Sequence, residues 1–300
     1  MGNCNLSLCQ FSNDFPHQIS QIFERDKHLK RNFREETATD LLMAGLSTFR
    51  ASGILVDFPH EPTTGGDMEW TFVAPNERNG GRYLSLMIQA KRARFSKTKN
   101  SGYWYYAHLA HGTPPGQQAR NLVSYASSAQ SPPGTYPMYI FYHPLSALSG
   151  HTKNLPPIRG VNLTSAYVIL PVVSRRCTRP EMRVTYWRPH FISLPDLFCP
   201  AIHPISPVGP NNPGMPSDGH DMPEYLHPDS VAERLERHRN KTAGFVRALG
   251  SKNPPKITAV TGIPKVILRA LNNETTVEDR KGLKRPRAIF RVDSKQKTAD

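Results

Sequence analysis

The chain has 300 residues, enough for one large domain or two smaller ones with a substantial core. Its 38 Lys and Arg stand against 24 Asp and Glu, a net charge of +14 that favours a polyanionic partner, nucleic acid first, or else simply keeps the protein soluble. No apolar run approaches the roughly 18 residues of a membrane helix, and Cys4, Cys9, Cys177 and Cys199 show neither a CxxC pair nor zinc spacing, so neither a membrane helix nor a cysteine zinc site is expected and a reducing cytoplasm is the default.

The N-terminus lacks a basic region followed by an apolar stretch and does not read as a secretory signal. Residues 15–34 alternate Ile19, Ile22, Phe23, Leu29 and Phe33 with Glu24, Arg25, Lys27 and Lys30, the pattern of an amphipathic helix. A second helix is predicted from Glu35 to Leu46, with Leu42, Leu46 and Phe49 on one stripe and Glu36 one turn before Asp40. Gly53 to Phe58 reads as the first core strand, and Pro59, Pro62, Gly65 and Gly66 then turn the chain. Two further strands, Asp67 to Val73 and Tyr83 to Lys91, are joined by turn residues and predict a β-hairpin.

Side chains alternate across a strand, so Asp67 and Glu69 share one face, as do Gln89 and Lys91 on the neighbouring strand. Two acids, an amide and an ammonium in one patch suit metal-assisted phosphodiester hydrolysis. Mg²⁺, or Mn²⁺ in its place, takes oxygen ligands of the kind Asp67, Glu69 and the Gln89 amide supply. A lysine such as Lys91 orients the attacking water or stabilises the added charge. The alternative is a solvated strand pair in which Glu69 and Lys91 form only a cross-strand ion pair.

After Lys91, Arg92, Arg94, Lys97 and Lys99 precede Tyr103, Trp104, Tyr105 and Tyr106, which serve either a strand-tracking groove or the core. A helix is predicted over Gly116 to Ala129, and strands over Thr135 to Tyr142 and Ala166 to Val173. Met182 to Leu194 suggests one or two more strands, and Pro200 to Pro223 reads as a linker in and after which His203, His220 and His227 are dispersed. Asp229 to Leu249 returns to helix with Ser230 as its cap, and Lys281 to Asp300 is expected to be disordered. From Asp229 onward 17 Lys and Arg face 8 Asp and Glu, a local excess of +9 suited to a docking arm.

The string Gly65-Gly66-Asp67-Met68-Glu69-Trp70 with Gln89-Ala90-Lys91-Arg92 resembles the PD-(D/E)XK, or restriction-endonuclease-like, nuclease core, and is similar to an uncharacterised bacterial family of that superfamily. The match runs from Glu35 to about Tyr142, with glutamine in place of the acid before X-Lys. The resemblance implies a restriction-endonuclease-like α/β/α sandwich with a central mixed sheet, taken over residues 1–198, while composition and charge mark a Pro/Gly-rich linker over 199–228 and a basic helical, partly disordered extension over 229–300. It implies a metal site of Asp67, Glu69, Glu36 and Gln89, with Lys91 catalytic. Glu35 is the second choice for the helix acid, unless both acids merely complement the helix dipole. Gln118 becomes an auxiliary ligand, a phosphate contact or a surface residue. The implied activity is Mg²⁺-dependent cleavage of nucleic acid, DNA first, in a setting such as bacterial defence. Two other classes stay open: a non-catalytic nucleic-acid-binding module on the same fold, and a scaffold whose basic tail docks an acidic partner.

Overall fold

In the computed structural model, which describes residues 7–25, 33–59, 68–77, 79–97, 102–129, 131–175, 177–199 and 224–293, the hairpin lies at the middle of a mixed sheet. The strands are β1 (Ile54–Asp57), β2 (Met68–Ala74), β3 (Arg82–Arg92), β4 (Arg94–Lys97), β5 (Gly102–Tyr105), β6 (Thr135–Tyr142), β7 (Val161–Ser165), β8 (Ile192–Ser193), β9 (Val260–Thr261) and β10 (Arg287–Arg291). Their order is β1-β10-β2-β3-β6-β7-β8, with β9 beside one end of β3, while β4 and β5 pair as a separate ribbon. β2 and β3 are antiparallel, and β6 lies parallel to β3. Parallel neighbours need a crossover, and the helix α3 (Gln117–Ala126) lies within it.

Period-two alternation sorts the sheet into two faces. Met68, Trp70, Phe72, Leu84, Leu86, Ile88, Met138 and Ile140 face a core shared with α1 (Leu8–Arg25) and α2 (Glu35–Ser47). Met87, Tyr139 and Phe141 face the opposite way, onto α3, α4 (Ala166–Val173) and α5 (Val184–Trp187). Burial on both faces makes these strands predominantly apolar, with a few buried polar residues such as Glu69, Gln89 and Lys91, and the protein is mixed α/β with helices on either side of its sheet. The short α6 (Leu194–Phe198) joins the first core, α7 (Pro228–Ala248) contributes Val231 and Leu235 to the first and Val246 to the second, and α8 (Lys265–Leu271) covers Val73, Tyr83 and Ile289. The last helix is α9 (Val277–Gly282).

Several expectations need correction. The first helix starts at Leu8, because the buried stripe is Leu8, Phe11, Phe15, Ile19 and Phe23, and Phe33 and Arg34 are not helical. Ala166–Val173 is helix, not strand: eight apolar residues suit either state, and Ser165 decides by accepting the Tyr167 N–H at 3.2 Å as N-cap. Met182 to Leu194 does supply one further strand, the short Ile192–Ser193, but Val184–Trp187 in the same stretch is helix. The N-cap of α7 is His227, not Ser230, and its ring also meets Glu77 Oε1 at 2.9 Å. His203, His220 and nearly all of the expected linker lie outside the described residues.

The largest correction concerns the chain's end. Arg287–Arg291 is an interior strand, antiparallel to β1 and parallel to β2, with Ala288, Ile289 and Phe290 fully buried. Among the described residues, 229–293 thus contribute to the sheet and to both cores, where an appended basic extension was expected. Cys9 and Cys199, expected reduced, are joined as a disulfide between the start of α1 and the end of α6.

Candidate active site at the end of the central hairpin

β3 carries Gln89 and Lys91 on its odd-numbered face, where they are 3% and 5% exposed and stand opposite Tyr139 and Phe141 of β6. A buried ammonium must be compensated. Lys91 Nζ donates to Gln118 Oε1 at 2.7 Å, so the first turn of α3 holds the amine. That turn is fixed by Gly116 at φ +77°, where a Cβ would stand 2.5 Å from the Val173 carbonyl oxygen of α4. Only glycine tolerates both the left-handed backbone and that approach.

Arg92, one residue on, points to the other face. Its guanidinium lies 4.4 Å from the Phe23 ring centroid and donates to the Phe33 carbonyl. Thr39 and Tyr142 hydroxyls meet at 3.2 Å. Together these contacts set the first turn of α2 at the C-terminal end of β3. Glu36 is in that turn, and its Oε2 is buried without a hydrogen-bond partner among the described residues. Asp40, a turn later, is exposed, yet partial burial and the Glu36 charge raise its carboxyl above the usual range. His108, in the lead to α3, is lowered first by desolvation and then by the Arg94 cation, with Glu35 opposing and Lys91 adding to the lowering. Glu35, Lys91, Arg94 and His108 therefore share one electrostatic neighbourhood, approached by α2 and α3 from opposite faces of the sheet.

Glu69 occupies the same sheet face but a different environment. Its Oε2 accepts from Arg287 Nε at 3.1 Å and Nη2 at 3.0 Å, and its Oε1 accepts from Ser85 Oγ at 3.0 Å and Thr71 Oγ1 at 3.3 Å. The carboxylate is 8% exposed and saturated by a bidentate guanidinium and two hydroxyls. Glu69, expected as a metal ligand, has both oxygens engaged by protein donors and ties β10 to the hairpin. Asp67 lies outside the described residues.

Among the described residues no group of three His, Cys, Asp or Glu is placed to hold a metal ion. Of the expected ligands, Glu36 has a buried oxygen with no hydrogen-bond partner among the described residues and Gln89 a buried amide, both hard oxygen donors of the kind Mg²⁺ or Mn²⁺ takes. Arg287 and His108 were not found by sequence reasoning: Arg287 is 218 residues from Glu69, and His108 has no motif around it. Among the described residues no helix is long and apolar enough to cross a membrane.

Residues 8–298 match DUF6615, a family of unknown function, and the chain belongs to that family. No curated protein and no solved structure matches it.

Proposed function

We propose that this member of the DUF6615 family hydrolyses phosphodiester bonds of nucleic acid, DNA first, with Mg²⁺ or Mn²⁺, on a restriction-endonuclease-like core. The observation that carries the reading is a buried lysine, Lys91, held by the Gln118 amide at the strand end where Glu36 presents an unpartnered carboxylate oxygen. Glu36 and the Gln89 amide oxygen are the ligands in this reading, and Asp67 is the sequence's third candidate. Bound metal would neutralise phosphate charge and lower the pKa of its water. Lys91 orients the water whose oxygen forms the new bond to phosphorus, and stabilises the charge that grows as the ester bond breaks. Water gives up one proton and the leaving oxygen gains one, so the products are a phosphate end and a hydroxyl end. Gln118 keeps the ammonium aimed, and Glu69 with Arg287 keeps the hairpin in register.

The closed state of Glu69 favours a second reading, a non-catalytic nucleic-acid-binding module, since it removes one expected ligand. Purified protein incubated with plasmid, linear DNA and RNA in Mg²⁺, Mn²⁺ or EDTA separates the two. Metal-dependent cleavage abolished by EDTA is the expected result. Salt-sensitive binding without cleavage under any condition would replace the nuclease by the binding module.

A further inference from the structure

The ribbon of β4 and β5 has two unlike faces. Its register pairs Arg94 with Tyr105 and Ser96 with Tyr103, and Phe95 with Trp104 and Lys97 with Gly102. Paired residues share a face, so Arg94, Ser96, Tyr103 and Tyr105 lie on one side and Phe95, Lys97 and Trp104 on the other. The tyrosine face is held against the segment from Arg179 to Arg183. Tyr105 forms a backbone bridge with Arg183, and the Tyr106 N–H donates to the Met182 carbonyl at 3.0 Å. Between them opens a cleft of about 400 Å³ lined by Ser96, Tyr103, Tyr105, Arg179 and Met182.

Its walls combine two chemistries. The Tyr103 and Tyr105 rings stand 5.9 Å apart at 63°, and the Arg183 guanidinium lies 4.5 Å from the Tyr103 ring centroid. The nearby acid, Glu181, is buried and already accepts from Arg175 and from the Thr178 N–H and hydroxyl. It therefore does not neutralise Arg179 or Arg183, and among the described residues neither of these nor Arg94 makes an ion pair. Aromatic faces beside uncompensated guanidinium groups match a base with its flanking phosphate. The cleft is also near the candidate site. Only Ala93 separates β3 from β4, and Ser96 follows Lys91 by five residues, a span of at most about 17 Å of extended chain.

We propose that this cleft seats a base of single-stranded nucleic acid, with Tyr103 and Tyr105 contacting the ring and Arg179 and Arg183 the phosphate. This deepens the nuclease reading and rests on it for the class of ligand: the substrate enters as a single strand. The test is fluorescence anisotropy in EDTA, with the full chain, a labelled oligodeoxynucleotide of mixed sequence and the duplex of the same sequence. Tyr103→Ala should weaken single-strand binding about tenfold and leave duplex binding unchanged, as expected for the loss of one stacking ring. Tyr103→Phe keeps the ring and should bind as wild type, as should Phe95→Ala on the opposite face. Should Tyr103→Ala not fold, Arg179→Ala takes its place and should lower the salt slope by about one.

Wild-type single-strand affinity in folded Tyr103→Ala, an unchanged salt slope in Arg179→Ala, or equal loss for single strand and duplex would each overturn the proposal. Because binding is read without metal, the two readings fail separately. The expected binding pattern with no cleavage in Mg²⁺ keeps the cleft and removes the nuclease, whereas cleavage with wild-type binding by Tyr103→Ala does the reverse.

Discussion

Two polar groups are buried on the same face of the central hairpin, and they are built in opposite ways. At Glu69 both carboxylate oxygens are taken, by Arg287 on one side and by Ser85 and Thr71 on the other. At the end of β3, Lys91 Nζ donates to the neutral Gln118 amide, and among the described residues a buried Glu36 oxygen has no donor. A saturated buried ion pair joins strands and resists change. A buried carboxylate oxygen without a donor, as at Glu36, retains desolvation free energy that a ligand could recover. On the proposed reading the first cluster serves stability and the second chemistry, and each assignment can be broken separately.

The largest effect on stability is expected at the closed cluster. Arg287→Ala leaves the Glu69 carboxylate buried without its cation and should destabilise the fold by about 3–5 kcal/mol, read from urea unfolding. Replacing the pair together, Glu69→Leu with Arg287→Met, should recover most of that loss, because an apolar pair of similar volume removes the uncompensated charge. A loss below about 1 kcal/mol for Arg287→Ala would mean that the carboxylate is not locked as described.

A second effect tests a polar group saturated without charge. His143 is fully buried, with Nδ1 2.7 Å from the Arg159 carbonyl and Nε2 2.6 Å from the Tyr106 hydroxyl. The carbonyl can only accept, so Nδ1 carries the proton and Nε2 accepts from Tyr106. Burial pushes this imidazole down to about 4, and His190 and His238 are pushed down to about 4 as well. Below its ordinary value near 6.5 the unfolded chain binds protons that the folded chain refuses. Stability should therefore be complete above about pH 6.5 and fall as the pH drops toward 4, by about 3 kcal/mol for His143 alone at the end of that window. Urea midpoints at pH 7.5, 5.5 and 4.5 measure it, and a flat profile contradicts the buried neutral imidazole.

Glu36→Gln is the smallest change in stability and the sharpest contrast with Arg287→Ala. It removes a charge whose Oε2 lacks a partner, so the fold should stay within about 1 kcal/mol of wild type or gain slightly. Mn²⁺ affinity, measured by calorimetry, should nevertheless fall at least about tenfold, in line with the loss of one carboxylate ligand. Unchanged affinity would place the metal elsewhere.

Much of this arrangement was legible in the sequence. The hairpin, α2, the crossover helix and β6 follow from local alternation or helical spacing, and together they place Gln89, Lys91 and Gln118 near one strand end. What stayed hidden depends on long-range pairing. Residues 287–291 hold three apolar residues between two arginines, which is too short a run to distinguish an interior strand from a basic tail. Its partners Glu69 and Asp57 become visible only when β10 is inserted between β1 and β2. The Cys9–Cys199 bond spans 190 residues without a spacing motif. Ala166–Val173 is apolar on all sides because it is buried, so periodicity could not identify the helix.

The most direct measurement is single-turnover cleavage by Lys91→Ala at saturating protein, beside equilibrium binding of the same substrate in Ca²⁺. If Lys91 orients the nucleophile and meets charge that develops only in the transition state, turnover should fall by at least about 100-fold while affinity changes little, and Lys91→Arg should not restore it fully. Near wild-type turnover in Lys91→Ala, or weakened affinity that Lys91→Arg repairs, would make the lysine an ordinary phosphate contact and contradict the account.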